Sequence, residues 1–125
     1  MSIKSCSPNE IAPLKIFSEL AGKVKKLPVD EVRKDSFGYL ELVMTAKNLE
    51  RIYPILEDYF GPPFKPPGVT ASKEASLRAA GYGGIEKQQT LYYVERDGVS
   101  NCAMIWPWKN KERATVKLAQ GEISR

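Results

Sequence analysis

The stretch "QQTLYYVERDGVSNCAMIWPW", residues 88–108, sets one Asp-Gly pair between two runs rich in β-branched and aromatic residues. A type I′ turn needs positive φ at both central residues, so Asp97-Gly98 in this setting signals a two-residue hairpin. Such a turn fixes the register. Val94 falls opposite Asn101, Tyr93 opposite Cys102, Tyr92 opposite Ala103 and Leu91 opposite Met104. A third run, "RATVKLA", follows the polar turn "KNKE", so the last third of the chain reads as a three-stranded meander.

Side chains alternate along each strand, which sorts the meander into two faces. Tyr92, Val94, Ala103, Ile105 and Val116 share one; Leu91, Tyr93, Cys102, Met104 and Trp106 share the other. Both are apolar, and an apolar face must be covered. For the second face three covers fit. The sheet is sandwiched within the chain, between the N-terminal helix and loop 61–70; or a homodimer forms through that face; or a small anionic or aromatic ligand occupies a pocket there. The pocket would be lined by Tyr93, Met104 and Trp106, with Lys117 or Arg78 at its mouth and Phe64 in a wall supplied by the loop.

Upstream, Ser7-Pro8-Asn9-Glu10 has the order of a capping box, and Pro13 moves the start of the main helix to itself. The helix runs to about Lys26 on the stripe Leu14, Phe17, Leu20, Ala21 and Val24. Its closing lysines, Lys23, Lys25 and Lys26, suit the negative end of the helix dipole. "FGYLELVMTA", residues 37–46, reads as a central strand. "KNLERIYPILEDYF" reads as a helix that starts late or kinks at Pro54 and stops at Gly61. "TASKEASLRAA" reads as a third helix, capped by Thr70 or Ser72 and ended by Gly81.

Four prolines crowd "GPPFKPPGVT", residues 61–70. The PxxP spacing favours polyproline II, but the segment is short and closed by helices at both ends. A rigid connector with Phe64 tucked inward is the simpler reading.

The 125 residues contain no histidine. That removes the commonest general base and metal ligand, leaving Lys, Tyr, Cys or carboxylates for any chemistry. Cys102, mid-strand among apolar neighbours, reads as a buried inert thiol, and Cys6 as an exposed one near a loose end at 1–6. Glu41 interrupts "GYLELVM": it fits a buried carboxylate of raised pKa facing Arg or Lys, but an edge or half-exposed strand is the preferred reading. The glycines of "AAGYGGIEK" follow a helix instead of opening one, so they read as a helix stop and a turn. Lys73, with Arg78, stands where a helix begins and could meet an anion. "WPWKNKER" sets Trp108 among Lys109, Lys111 and Arg113, a composition that can stack bases and hold a single-stranded backbone.

The net charge of +4 arises entirely in residues 61–125, a bias too mild to make nucleic acid the favoured partner. No apolar run suits a signal peptide or a membrane span, and two distant cysteines suit a reducing compartment, so a cytoplasmic location is expected. The length suits one domain with its own core. The expectation is a single α+β domain over 1–125, an antiparallel sheet of about four strands in the order α-β-α-α-β-β-β with helices mainly on one face. Functionally it reads as a non-catalytic binding or regulatory module without a cofactor, one that uses the aromatic sheet face and adjacent Pro-rich loop to hold a small ligand or a protein partner. Single-stranded nucleic-acid binding, or an enzyme built on Lys, Glu or Cys, is the alternative.

Overall fold

The computed structural model describes residues 13–122 other than Asp97. The expected capping box, Cys6 and the loose end lie outside these residues. The elements are α1 (Pro13–Lys25), β1 (Glu31–Ser36), β2 (Tyr39–Thr45), α2 (Ala46–Leu49), α3 (Ile52–Phe60), α4 (Lys73–Ala79), β3 (Thr90–Arg96), β4 (Val99–Pro107) and β5 (Arg113–Glu122). The strands form one antiparallel sheet in the order β1-β2-β5-β4-β3. The fold is the expected α+β domain with one more strand.

That strand, β1, has all six residues exposed. With no buried side to impose alternation, its sequence "EVRKDS" carries no strand signature. It is held as a hairpin partner of β2 around Gly38, whose φ of 78° suits glycine. A bulge between Val32 and Lys34 and an ion pair from Lys25 to Asp35 at 2.9 Å complete its anchorage.

The β3–β4 register agrees with the hairpin reading at every pair named above, and Gly98 has φ 78°. The two faces follow from it. On the first, Leu40, Leu42, Met44, Tyr92, Ala103, Ile105, Val116 and Leu118 pack against Phe17, Leu20 and Val24 of α1, Leu49 of α2 and Ile52 and Leu56 of α3. Each large side chain removed from water there contributes roughly 2 kcal/mol. Leu14 of the expected stripe has its side chain outside the described ones.

Pro54 acts as a late start. The segment breaks after the single turn α2, which Thr45 caps through Asn48 N–H at 3.3 Å, and α3 begins at Ile52. Pro54 thus sits in the first turn of α3, where its missing N–H costs nothing. Gly61, at φ 82°, ends α3 with its N–H on the Glu57 carbonyl.

The second face is covered from within the chain, but only in part. Ser72 caps α4 by accepting from Ala75 N–H at 3.0 Å. Ala75 and Ala79 then lie over Leu91, Cys102, Met104 and Ala119. The helix does not stop at Gly81 as expected; it tightens into a 3-10 turn, Ala80–Tyr82, and ends at Gly83 in the left-handed region. Seven residues of helix span about 10 Å, enough for β3 and β4 but not for the whole sheet.

The Pro-rich segment is a connector of a particular kind. Phe64 is not tucked inward: it is 42% exposed, its ring 5.8 Å from that of Tyr93. Lys65 is the residue that turns in, at 2% exposure. Its backbone makes a one-residue bridge to Leu91 on the outer edge of β3, and its ammonium donates to the carbonyls of Glu86 (2.9 Å), Lys87 (2.5 Å) and Gln89 (2.6 Å). Ammonium has three donors, and here all three have acceptors. The prolines on each side have no N–H to lengthen the bridge.

Candidate functional site

The uncovered half of the second face carries a row of paired residues that crosses four strands. Lys34 of β1 pairs with Glu41 of β2, Glu41 with Lys117 of β5, and Lys117 with Met104 of β4. Under α4 the row is apolar; beyond α4 it is charged. The same face carries Tyr39, two residues before Glu41, whose hydroxyl donates to the Glu41 carboxylate at 2.7 Å. The turn after α4 forms the nearer wall. Between that wall and Lys34 lies a shallow depression of about 440 Å³ lined by Lys34, Tyr39, Glu41, Gly81, Tyr82, Gly83 and Lys117.

Lys117 is the fixed charge of this depression. Its ammonium lies 3.5 Å from the centroid of the Trp106 ring and donates to the Tyr82 carbonyl at 3.0 Å. Burial lowers its pKa, and the neighbouring Glu41 pushes in the opposite direction. The ring face and the carbonyl also favour the charged form. Among the described residues no carboxylate lies within ion-pair distance of it. The geometry under Trp106 depends on Gly83: at φ 105°, a Cβ there would lie 2.5 Å from Trp106 Cη2.

Tyr82 and Tyr39 stand nearly parallel, 16° apart with centroids at 6.4 Å. Burial raises the pKa of both, and Tyr39 is raised further by its bond to Glu41. Lys34 sits 5.8 Å from the Tyr39 ring centroid. The depression therefore joins flat aromatic surfaces to two ammonium groups and one carboxylate.

The site residues named from sequence fall into separate places. Met104 is fully buried under α4 and lines no opening. Lys117 lines the depression, with Trp106 against its ammonium. Tyr93 and Phe64 lie on the far side of Met104, at the β3 edge, where Arg78 stacks on Tyr93 at 5.2 Å. Arg78 also contacts Glu74 at 3.3 Å and Glu95 at 3.5 Å, so its charge is matched locally. Lys73 is exposed at the first position of α4.

At the β4–β5 turn, Trp108 donates from Nε1 to Thr115 at 3.0 Å and is overlaid by Arg33 at 5.7 Å. Arg113 is paired with Asp30 at 2.7 Å. Lys109 and Lys111 are exposed. The stacking face and one of three cations expected for a nucleic acid are thus engaged in holding β1 and the turn together. Cys102 is 3% exposed, and burial pushes its thiol up to about 12, the state of an inert thiol.

Sequence reading named Glu41, Trp106 and Lys117 but not Tyr39, Tyr82 or Lys34. One signal was present: Tyr39 and Glu41 are two apart on a strand and must share a face. No helix among the described residues is long and apolar enough to cross a membrane, and none of their His, Cys, Asp and Glu side chains form a group of three suited to a metal. The chain matches no protein-family model, no curated protein and no solved structure.

Proposed function

We propose that the protein is a non-catalytic binding module that holds a small ligand on the open half of its second sheet face, over Glu41 and Lys117. The observation that carries this reading is the Lys117 ammonium. It is half-buried, held in place by Trp106 and the Tyr82 carbonyl, and turned toward an opening instead of toward a carboxylate. Burial lowers the pKa of Lys117, but the Trp106 face and the Tyr82 carbonyl both hold the ammonium form in place. A held positive charge serves recognition.

The sequence reading placed the Pro-rich loop beside the ligand. In this reading the loop guards the β3 edge, and the turn Ala80–Tyr82 with Gly83 takes its place as the wall of the site. A homodimer through the second sheet face is the alternative to this reading, since α4 covers that face only in part.

Ligand-observed NMR against a mixed library of small organic molecules tests the proposal. Hits are expected that disappear in a Lys117→Glu variant whose urea unfolding curve matches that of the native protein. A library in which no hit responds to that substitution would refute the binding role.

A further inference from the structure

The geometry points to a particular ligand class for this depression: a planar aromatic ring bearing a single anionic group, such as an aryl or indolyl carboxylate. This rests on the proposed binding role and adds the chemistry of the ligand to it.

The ring requirement comes from the walls. Tyr39 and Tyr82 present faces only 16° from parallel, at a centroid separation near the long end of the range for aromatic pairs. Trp106 backs Lys117, its ring taken up by the ammonium at 3.5 Å. Tyr39 and Tyr82 both line the depression, so a flat ring settling between the Tyr82 turn and Lys34 has aromatic surface to pack on. A depression of about 440 Å³ is of the size that takes a small molecule.

The charge requirement comes from the row Lys34, Glu41, Lys117. Two ammonium groups flank one carboxylate, and that carboxylate already accepts the Tyr39 hydroxyl. The local balance is one positive charge, matched by one anionic group. Lys117 spends one donor on the Tyr82 carbonyl and keeps others for the ligand. None of the described residues lining the depression is an arginine, whose fork a phosphate would favour, so carboxylate is the better match. Ring and charge must be joined, because the ring walls and the ammonium groups line the same small opening.

The test uses the full-length protein and three probes, indole-3-acetate, indole and acetate, followed by amide chemical-shift mapping. Indole-3-acetate is expected to bind about tenfold more tightly than either fragment, a difference of 1.4 kcal/mol, with the largest shifts at Gly81, Gly83 and Lys117. Lys117→Met should remove the preference over indole, and Tyr82→Leu the preference over acetate, both in variants with native unfolding curves. Equal binding of indole and indole-3-acetate, or of acetate and indole-3-acetate, overturns the ligand class. So does the absence of shifts at those amides with all three probes. In each of these cases library hits that respond to Lys117→Glu would still uphold the binding role.

Discussion

Lys65 and Leu91 exchange both of their backbone hydrogen bonds, each at 3.0 Å, and so close one residue's width of the outer β3 edge. The same lysine then inserts its ammonium among three carbonyls of the 86–89 turn. Burial lowers its pKa, yet the three acceptors leave it fully satisfied. Replacing it with methionine keeps the length of the side chain and takes the ammonium from all three; the Glu86 and Lys87 carbonyls keep the N–H groups of Gln89 and Gly68, and the Gln89 carbonyl loses its donor. Lys65→Met is expected to cost about 2–3 kcal/mol, read as a lower urea midpoint at unchanged slope.

A methyl group distinguishes two adjacent glycines. Both have positive φ, 105° at Gly83 and 86° at Gly84. Only at Gly83 would a Cβ meet Trp106; at Gly84 nothing lies within 4 Å. Gly84→Ala should cost about 1 kcal/mol of backbone strain. Gly83→Ala should cost about 1–3 kcal/mol more through overpacking and shift tryptophan emission, because Trp106 must leave Lys117. Identical losses in the two variants would show that the close approach is unimportant.

The alkaline limb of stability should be steep. Tyr92 and Tyr93 are raised to about 12, each chiefly by burial, and Cys102 likewise to about 12. Their ordinary values are 10.0 for tyrosine and 9.0 for cysteine. A raised folded value means that the unfolded chain releases its proton first. The stabilisation is therefore complete below pH 9 and is lost as pH climbs from there toward 12. Absorbance of the tyrosinate ion and circular dichroism should change together in that window. Independent tyrosine titration near 10 with the fold intact would contradict this. With no histidine in the chain, no side chain of ordinary pKa titrates from about pH 5 to 8, and stability should be flat there.

Cys102 should behave as a reporter of opening. In a Cys6→Ser background, reaction with an aromatic disulfide reagent should be slow for the native protein and accelerate with urea in step with unfolding. Rapid reaction in buffer would mean that β4 and β5 open locally.

What could be read in the sequence was what burial writes there. The β3–β4 register came from a turn type and a two-residue period, and α1 and α3 came from stripes of apolar residues. β1 escaped because all six of its residues are exposed and leave no alternating apolar pattern. That omission hid much of the site. Lys34 enters the row beside Glu41 only once β1 is known to be a strand, and Tyr82 joins it only once the helix is seen to run past Gly81. Phe64 and Lys65 were exchanged for a related reason. A buried lysine contradicts its composition, and its three acceptors come from a turn more than twenty residues away.

The central position of β5 governs how the molecule can be made. β1 and β2 form one hairpin and β3 and β4 another, and β5, synthesised after both, is the strand that joins them. Until it arrives, β2 and β4 each have an unpaired inner side, and the first-face core lacks Ala114, Val116 and Leu118. Without β5 the two hairpins share no strand ladder and meet only through the helices packed on the first face. A ribosome pause before residue 113, or a premature stop there, would leave two open hairpins for chaperones or proteases to deal with.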